Sequence, residues 1–135
     1  MKVGFTGSST TVTAAQLASV KSLLFELKAT EFHHGDCIVA DEQAAKVADD
    51  LGIFIVGHPP LKAYKRAFYK NGINREHKGY LLRNKCIVKE TETLLATPDS
   101  YKEILRSGTW STIREAKRQK KPVYIIYPDG SYIKE

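Results

Sequence analysis

The chain is short of the residues that staple small folds: only two cysteines, Cys37 and Cys86, occur among its 135 residues. They form no Cys-x-x-Cys pair, which excludes a disulfide framework and a cysteine-based zinc site and points to a reducing, cytoplasmic setting. No apolar run approaches the roughly 18 residues that cross a bilayer, and the opening Met-Lys-Val-Gly-Phe-Thr has no apolar segment of the secretory type. There is no repeat, low-complexity tract or linker, so residues 1–135 read as one domain with one core. The glycines and hydroxyls from Gly4 to Thr11 spell neither Gly-x-Gly-x-x-Gly nor a P-loop, which argues against dinucleotide binding and ATP hydrolysis. Acidic residues are in deficit, 15 against 21 Lys and Arg, giving a formal charge of +6. Because the two signs are interspersed, this charge suits a phosphorylated ligand as well as nucleic acid.

What is present alternates. Val3 to Phe5 reads as a buried strand, Thr13 to Ala29 as an amphipathic helix, Thr30 to His33 as a strand and Asp41 to Leu51 as a helix stopped by Gly52. Ile53 to Val56 is β-branched or aromatic throughout, as a strand buried on both faces requires. Tyr80 to Lys89 reads as a helix, Thr93 to Ala96 as a strand, the segment opened by Ser107 as a helix and Val123 to Tyr127 as the last strand, followed by a turn and a polar tail. Between them, His58 to Gly79 is basic and irregular, long enough to imply a function; Leu61, Tyr64 and Phe68 are spaced for a short helix within it. The pattern predicts an α/β fold, a single Rossmann-like three-layer sandwich around a mostly parallel sheet of about five strands.

In such sheets ligands bind beyond the carboxyl ends of the strands. Two loops there are small and rich in hydroxyls: Gly7, Ser8 and Ser9 after the first strand, and Ser107, Gly108, Thr109, Trp110, Ser111 and Thr112 opening the last helix. Free N–H groups and the positive dipole end make such a helix start an anion cradle. A capping box between Thr112 and Glu115 is the purely local alternative. His34, Gly35, Asp36 and His58 fall on the same rim, although Asp36 also suits a turn and Asp41 a helix cap. His33, His34, Asp36 and Cys37 do not read as a metal site, because neighbouring strand residues face opposite ways; no metal or other cofactor is expected. Arg83 and Asn84 interrupt an otherwise apolar helix face, so Arg83 needs a partner, either a carboxylate or carbonyl of the protein or a ligand phosphate.

Several segments together resemble the SLOG superfamily, the Rossmann-like group that includes the Lonely Guy (LOG) phosphoribohydrolases and the DNA-processing protein Smf. They are Gly4-Phe-Thr-Gly-Ser-Ser9, His33-His-Gly-Asp-Cys37 with Ala40-Asp41, His58-Pro-Pro60, Tyr80-Leu-Leu-Arg-Asn84, Ser107-Gly-Thr-Trp-Ser-Thr112 and Pro128-Asp-Gly130, and the likeness is greatest to small bacterial and phage members. LOG enzymes use an arginine in Arg-Lys-x-x-Met, matched here by Arg83 with Asn84 and Ile87 in the following places. They also use a glutamate ending Pro-Gly-Gly-x-Gly-Thr-x-x-Glu, where Gly108, Thr112 and Glu115 match while Ser107, Thr109 and Ser111 replace the proline and two glycines.

The resemblance implies nucleotide binding at the rim and, if there is turnover, hydrolysis of the N-glycosidic bond of a nucleoside 5'-monophosphate with Glu115 and Arg83 as the catalytic pair. The alternative is a non-catalytic protein that senses or sequesters a signalling nucleotide in bacterial or phage defence or counter-defence. A homodimer or higher homo-oligomer is implied, and nucleic acid is a lesser candidate partner through the Lys62 to Lys78 segment. No membrane partner is expected.

Overall fold

The computed structural model describes all 135 residues. Strand β1 (Lys2–Gly7) leads into α1 (Ala14–Glu26), β2 (Glu31–His34), α2 (Ala40–Asp50) and β3 (Phe54–Gly57). A single 3-10 turn (Ala63–Lys65) and the two-residue β4 (Ile73–Asn74) precede α3 (Tyr80–Glu90), β5 (Thr93–Thr97), α4 (Gly108–Arg118), β6 (Val123–Ile126) and β7 (Tyr132–Lys134). The strands form one seven-stranded sheet in the order β4-β3-β2-β1-β5-β6-β7. All neighbours run parallel except β6 and β7.

The sheet is thus larger than the five or so strands expected, and both additions are edges. β4 lies in the basic segment and β7 in the polar tail, and every residue of the two is exposed. Short edge strands bury no face, so they leave no hydrophobic period to read. The helix expected around Leu61, Tyr64 and Phe68 is absent: only the 3-10 turn forms, and all three side chains stay exposed.

Local chemistry sets the helix ends. At α1, Thr13 Oγ1 accepts from Gln16 N at 2.9 Å while Gln16 Oε1 accepts from Thr13 N at 3.0 Å, a reciprocal cap. The Gln16 amide also donates to the carbonyls of Pro98 and Ile126, tying α1 to the carboxyl end of the sheet. At α4 the cap is Ser107, whose hydroxyl accepts from Trp110 N at 3.3 Å. The Thr112–Glu115 capping box does not form, because Thr112 lies inside the helix and its hydroxyl donates to Gly108 O.

Helices α1 and α2 pack together on one face of the sheet, and α3 and α4 on the other. Strand alternation divides the core accordingly, with Leu95 facing the first pair and Leu94 and Ala96 the second. Phe5, Phe32, Leu23 and Leu24 dominate the first layer; Ala40, Ala44, Ala45 and Ala48 let α2 lie close to it. Trp110, Ile113, Val123 and Ile125 fill the second, beneath α4. No helix is long and apolar enough to cross a membrane.

Candidate functional site

The chain winds outward from β1 through β2 and β3, then returns to place β5 on the other side of β1. The loops that follow β1 and β5 therefore diverge, which is where parallel sheets open a crevice. A cavity of about 830 Å³ lies there, within the usual range of small-ligand sites. Gly7, Ser8 and Ser9 form one wall and Ser107, Gly108, Thr109 and Thr112 the opposing one. Asp41, Tyr80, Arg83 and Asn84 line it, with Asp99 and Arg106 from the β5–α4 loop and Lys62, Tyr64 and Lys65 from the segment after β3.

Arg83 is the group that decides the electrostatics. It is 6% exposed, yet it forms no ion pair. Its Nη1 donates to Gly35 O at 2.9 Å and meets Cys37 Sγ at 3.2 Å, and its Nη2 donates to Asn84 Oδ1 at 3.4 Å. Arg83 Nε and Asn84 Nδ2 have no partner at all. A buried cation with a spare donor is costly unless an anion completes it. The nearby Asp41 does not supply that anion: its carboxylate accepts from Gly35 N at 3.1 Å and Cys37 N at 3.2 Å. Burial raises its pKa to about 6 against the pull of Arg83. Burial likewise pushes the Cys37 thiol up, so it is no activated nucleophile.

Around Arg83 the backbone supplies further donors. The first N–H groups of α4, at Gly108 and Thr109, have no intrahelical acceptors and border the cavity. Across from them, the Ser8 hydroxyl accepts from Thr10 N at 3.1 Å and Thr11 N at 3.3 Å, shaping the β1 loop into a tight turn. One glycine here is fixed by sterics: a Cβ at Gly7 would lie 2.5 Å from both Ala40 Cβ and Thr97 Oγ1, whereas one at Gly108 would meet only the movable Tyr80 hydroxyl. The turn into α2 is strained, with Val39 at φ 72° beside the cavity-lining Ile38.

Other residues expected at the rim lie outside the cavity walls. His34 is buried, packs on Phe32 and Tyr69, and accepts from Asp36 N at 2.9 Å; burial lowers its pKa to about 4. Gly35 reaches the site through its backbone, whose carbonyl holds Arg83 and whose N–H holds Asp41. Asp36 accepts from Arg66 Nε at 2.6 Å and Tyr69 N at 3.0 Å, anchoring the basic segment. Trp110 turns into the core and donates from Nε1 to Ser100 Oγ at 3.1 Å, and Ser111 does not line the cavity. His58 sits under α3 against His33.

Glu115, one turn beyond Thr112, also falls outside the walls. Its carboxylate accepts from Arg118 at 2.7 Å and Gln119 at 2.9 Å. Burial would raise its pKa, but these bonds hold it below the usual range. Sequence reasoning missed Tyr80, Asp99 and Arg106. Asp99 had a readable signal, because it closely follows the carboxyl end of β5; Tyr80 and Arg106 had none.

No family model matches the sequence, and no curated protein does either. Solved structures match by shape. The molybdenum cofactor binding protein of the phototrophic bacterium Rippkaea orientalis superposes with a TM-score of 0.72 at 20% identity, over 94% of this chain and 77% of that one. The DNA processing protein A of Streptococcus pneumoniae gives 0.69 at 17% identity, over 92% of this chain and 49% of that one. Its Helicobacter pylori counterpart, described for its single-stranded DNA binding mode, gives 0.67 at 18% identity, over 93% of this chain and 64% of that one. With its mostly parallel sheet, flanking helix pairs and crevice at the strand-order reversal, the chain shares the Rossmann-like α/β fold of these structures.

Proposed function

We propose that the protein binds a nucleotide or nucleotide-derived phosphate ester in this cavity. The observation that carries the reading is Arg83, a buried guanidinium with an unpartnered Nε and no carboxylate, in the wall shared with the free amides of α4. An anionic oxygen there would complete a charge-assisted, directional contact. Asp99 and the Asn84 amide supply hydrogen-bonding groups of both signs for a ribose or base.

Capture without turnover is the form of this function that the contacts favour. The N-glycosidic hydrolysis implied by the LOG resemblance needs a carboxylate at the reacting bond, whereas Glu115 is engaged by Arg118 and Gln119. Calorimetry with AMP, GMP, CMP and UMP, followed by chromatography for free base and ribose 5-phosphate, tests both parts. Saturable binding without free base supports capture. Base release that disappears in Glu115→Gln would establish the hydrolase instead, and absence of binding to every nucleotide would overturn the site.

Single-stranded nucleic acid is a second reading, favoured by Lys62, Tyr64 and Lys65 beside the cavity, with Tyr64 75% exposed. Arg66 does not join them, since it pairs with Asp36 and lies over the Phe68 ring. This reading requires oligonucleotide affinity that falls steeply with salt and weakens in Lys65→Ala.

A further inference from the structure

We propose that His33, His58 and Glu90 form a binding site for a divalent transition-metal ion of the zinc class, beneath the end of α3 and separate from the cavity. The site arises from strand alternation. Phe32 and His34 stack on the α1–α2 side of the sheet, so Glu31 and His33 face the other side. There the apolar layer covers β5 and β6, while β2 and β3 present a polar cluster in which His33 is 1% and His58 2% exposed.

Four side chains form a line. Glu31 Oε1 lies 2.9 Å from His33 Nε2, and His33 Nδ1 lies 2.9 Å from His58 Nε2. His58 Nδ1 then faces Glu90 Oε2 at 3.8 Å. Two neutral imidazoles bring only two N–H protons to these three gaps. A carboxylate can only accept, so His33 holds its proton on Nε2 and offers a lone pair at Nδ1. His58 donates from Nε2 to that lone pair and is left with its own lone pair at Nδ1, pointing at a carboxylate oxygen. Acceptor faces acceptor, at a distance too long for a hydrogen bond. The cluster lacks one cation.

A metal ion meets that need, because it takes lone pairs from neutral imidazoles. The donor atoms of His33, His58 and Glu90 all lie within 4.8 Å of one another: His58 Nδ1 and Glu90 Oε2 are the free pair, and His33 Nδ1 joins as the third donor once the ion displaces the hydrogen bond it accepts from His58. Metal–nitrogen and metal–oxygen bonds of about 2.0–2.2 Å place donors on a shared ion roughly 3–4 Å apart, which brackets the His58–Glu90 spacing. The surrounding groups are arranged as metal sites arrange theirs. Glu31 fixes the tautomer and direction of His33 in a carboxylate–histidine pair. Arg75 holds Glu90 through Oε1 alone, from Nε at 2.9 Å and Nη2 at 2.8 Å, leaving Oε2 for the ion.

Titrating chelator-treated protein with Zn2+ by calorimetry, and with Co2+ by visible absorption, tests the assignment. One ion per chain, Co2+ bands of a nitrogen–oxygen site and a Zn2+-dependent rise in Tm are expected. His58→Gln and Glu90→Gln should each abolish all three, and Glu31→Gln should weaken affinity by about 10- to 100-fold. Glu90 is a third exposed and its amide variant keeps an acceptor for Arg75, so Glu90→Gln remains informative if the buried His58 variant fails to fold. Absence of stoichiometric binding, or binding that survives in Glu90→Gln, would overturn the proposal. None of the three readouts involves nucleotide.

Discussion

Replacing Arg83 with methionine separates a ligand-binding arginine from a structural one. The substitution roughly conserves volume and removes the charge along with the bonds to Gly35 O and Asn84 Oδ1. For the free protein two effects oppose each other. Leaving the buried Gly35 carbonyl unsatisfied costs about 1–3 kcal/mol. Removing a desolvated cation that has no carboxylate partner returns a penalty of several kcal/mol, so stability should hold or rise. Ligand binding has no such compensation. Loss of charge-assisted hydrogen bonds to a phosphate costs about 1.5–3 kcal/mol, or about 10- to 150-fold in Kd. Calorimetry with the tightest-binding nucleoside monophosphate, beside urea denaturation of the same preparations, reads the two effects apart. Unchanged affinity together with a fall in stability would refute the reasoning and make Arg83 a purely structural residue.

Other perturbations test the surrounding architecture. Gly7→Ala should lower stability by about 1–3 kcal/mol through overpacking against Ala40 and Thr97, and Thr97→Ala in the same chain should recover part of the loss in urea melts. Asp41 has a folded pKa of about 6 against 3.8 in a model compound, so the folded chain binds the extra proton between these values. Its contribution to stability is greatest below about pH 4 and is lost as pH rises through about 6, a span worth roughly 3 kcal/mol. Asp41→Asn should therefore gain on the wild type from pH 4 to 7, and parallel pH profiles would exclude the effect. Asp36→Ala leaves Arg66 without its carboxylate and Tyr69 N without its acceptor, so trypsin should cut at Lys62, Lys65 or Arg66 faster than in the wild type.

The cavity and the polar cluster share an element but serve opposite needs. Helix α3 brings Arg83 to the cavity as a cation short of an anion, while its last residue brings Glu90 to a cluster short of a cation. The two deficits are not within ion-pairing reach of each other and cannot cancel, so each calls for a ligand of its own.

The sequence alone determined the layered α/β class and the long elements, because buried strands and amphipathic helices write their periods into consecutive residues. Parallel topology also pointed to Gly7, Ser8 and Ser9 and to Ser107, Gly108, Thr109 and Thr112 as loops of one rim, whereas Arg83 and Asn84 showed only as polar residues on an apolar helix face. Tertiary structure decided the rest. β4 and β7 bury no face and left no pattern, so only pairing with β3 and β6 created them. The fate of each polar side chain depended on partners remote in the chain: Glu115 was engaged by Arg118 and Gln119, Asp36 by Arg66 and Tyr69. His33 met His58 and Glu90 only because neighbouring strands and the end of α3 converge, a proximity that spacing along the chain does not encode.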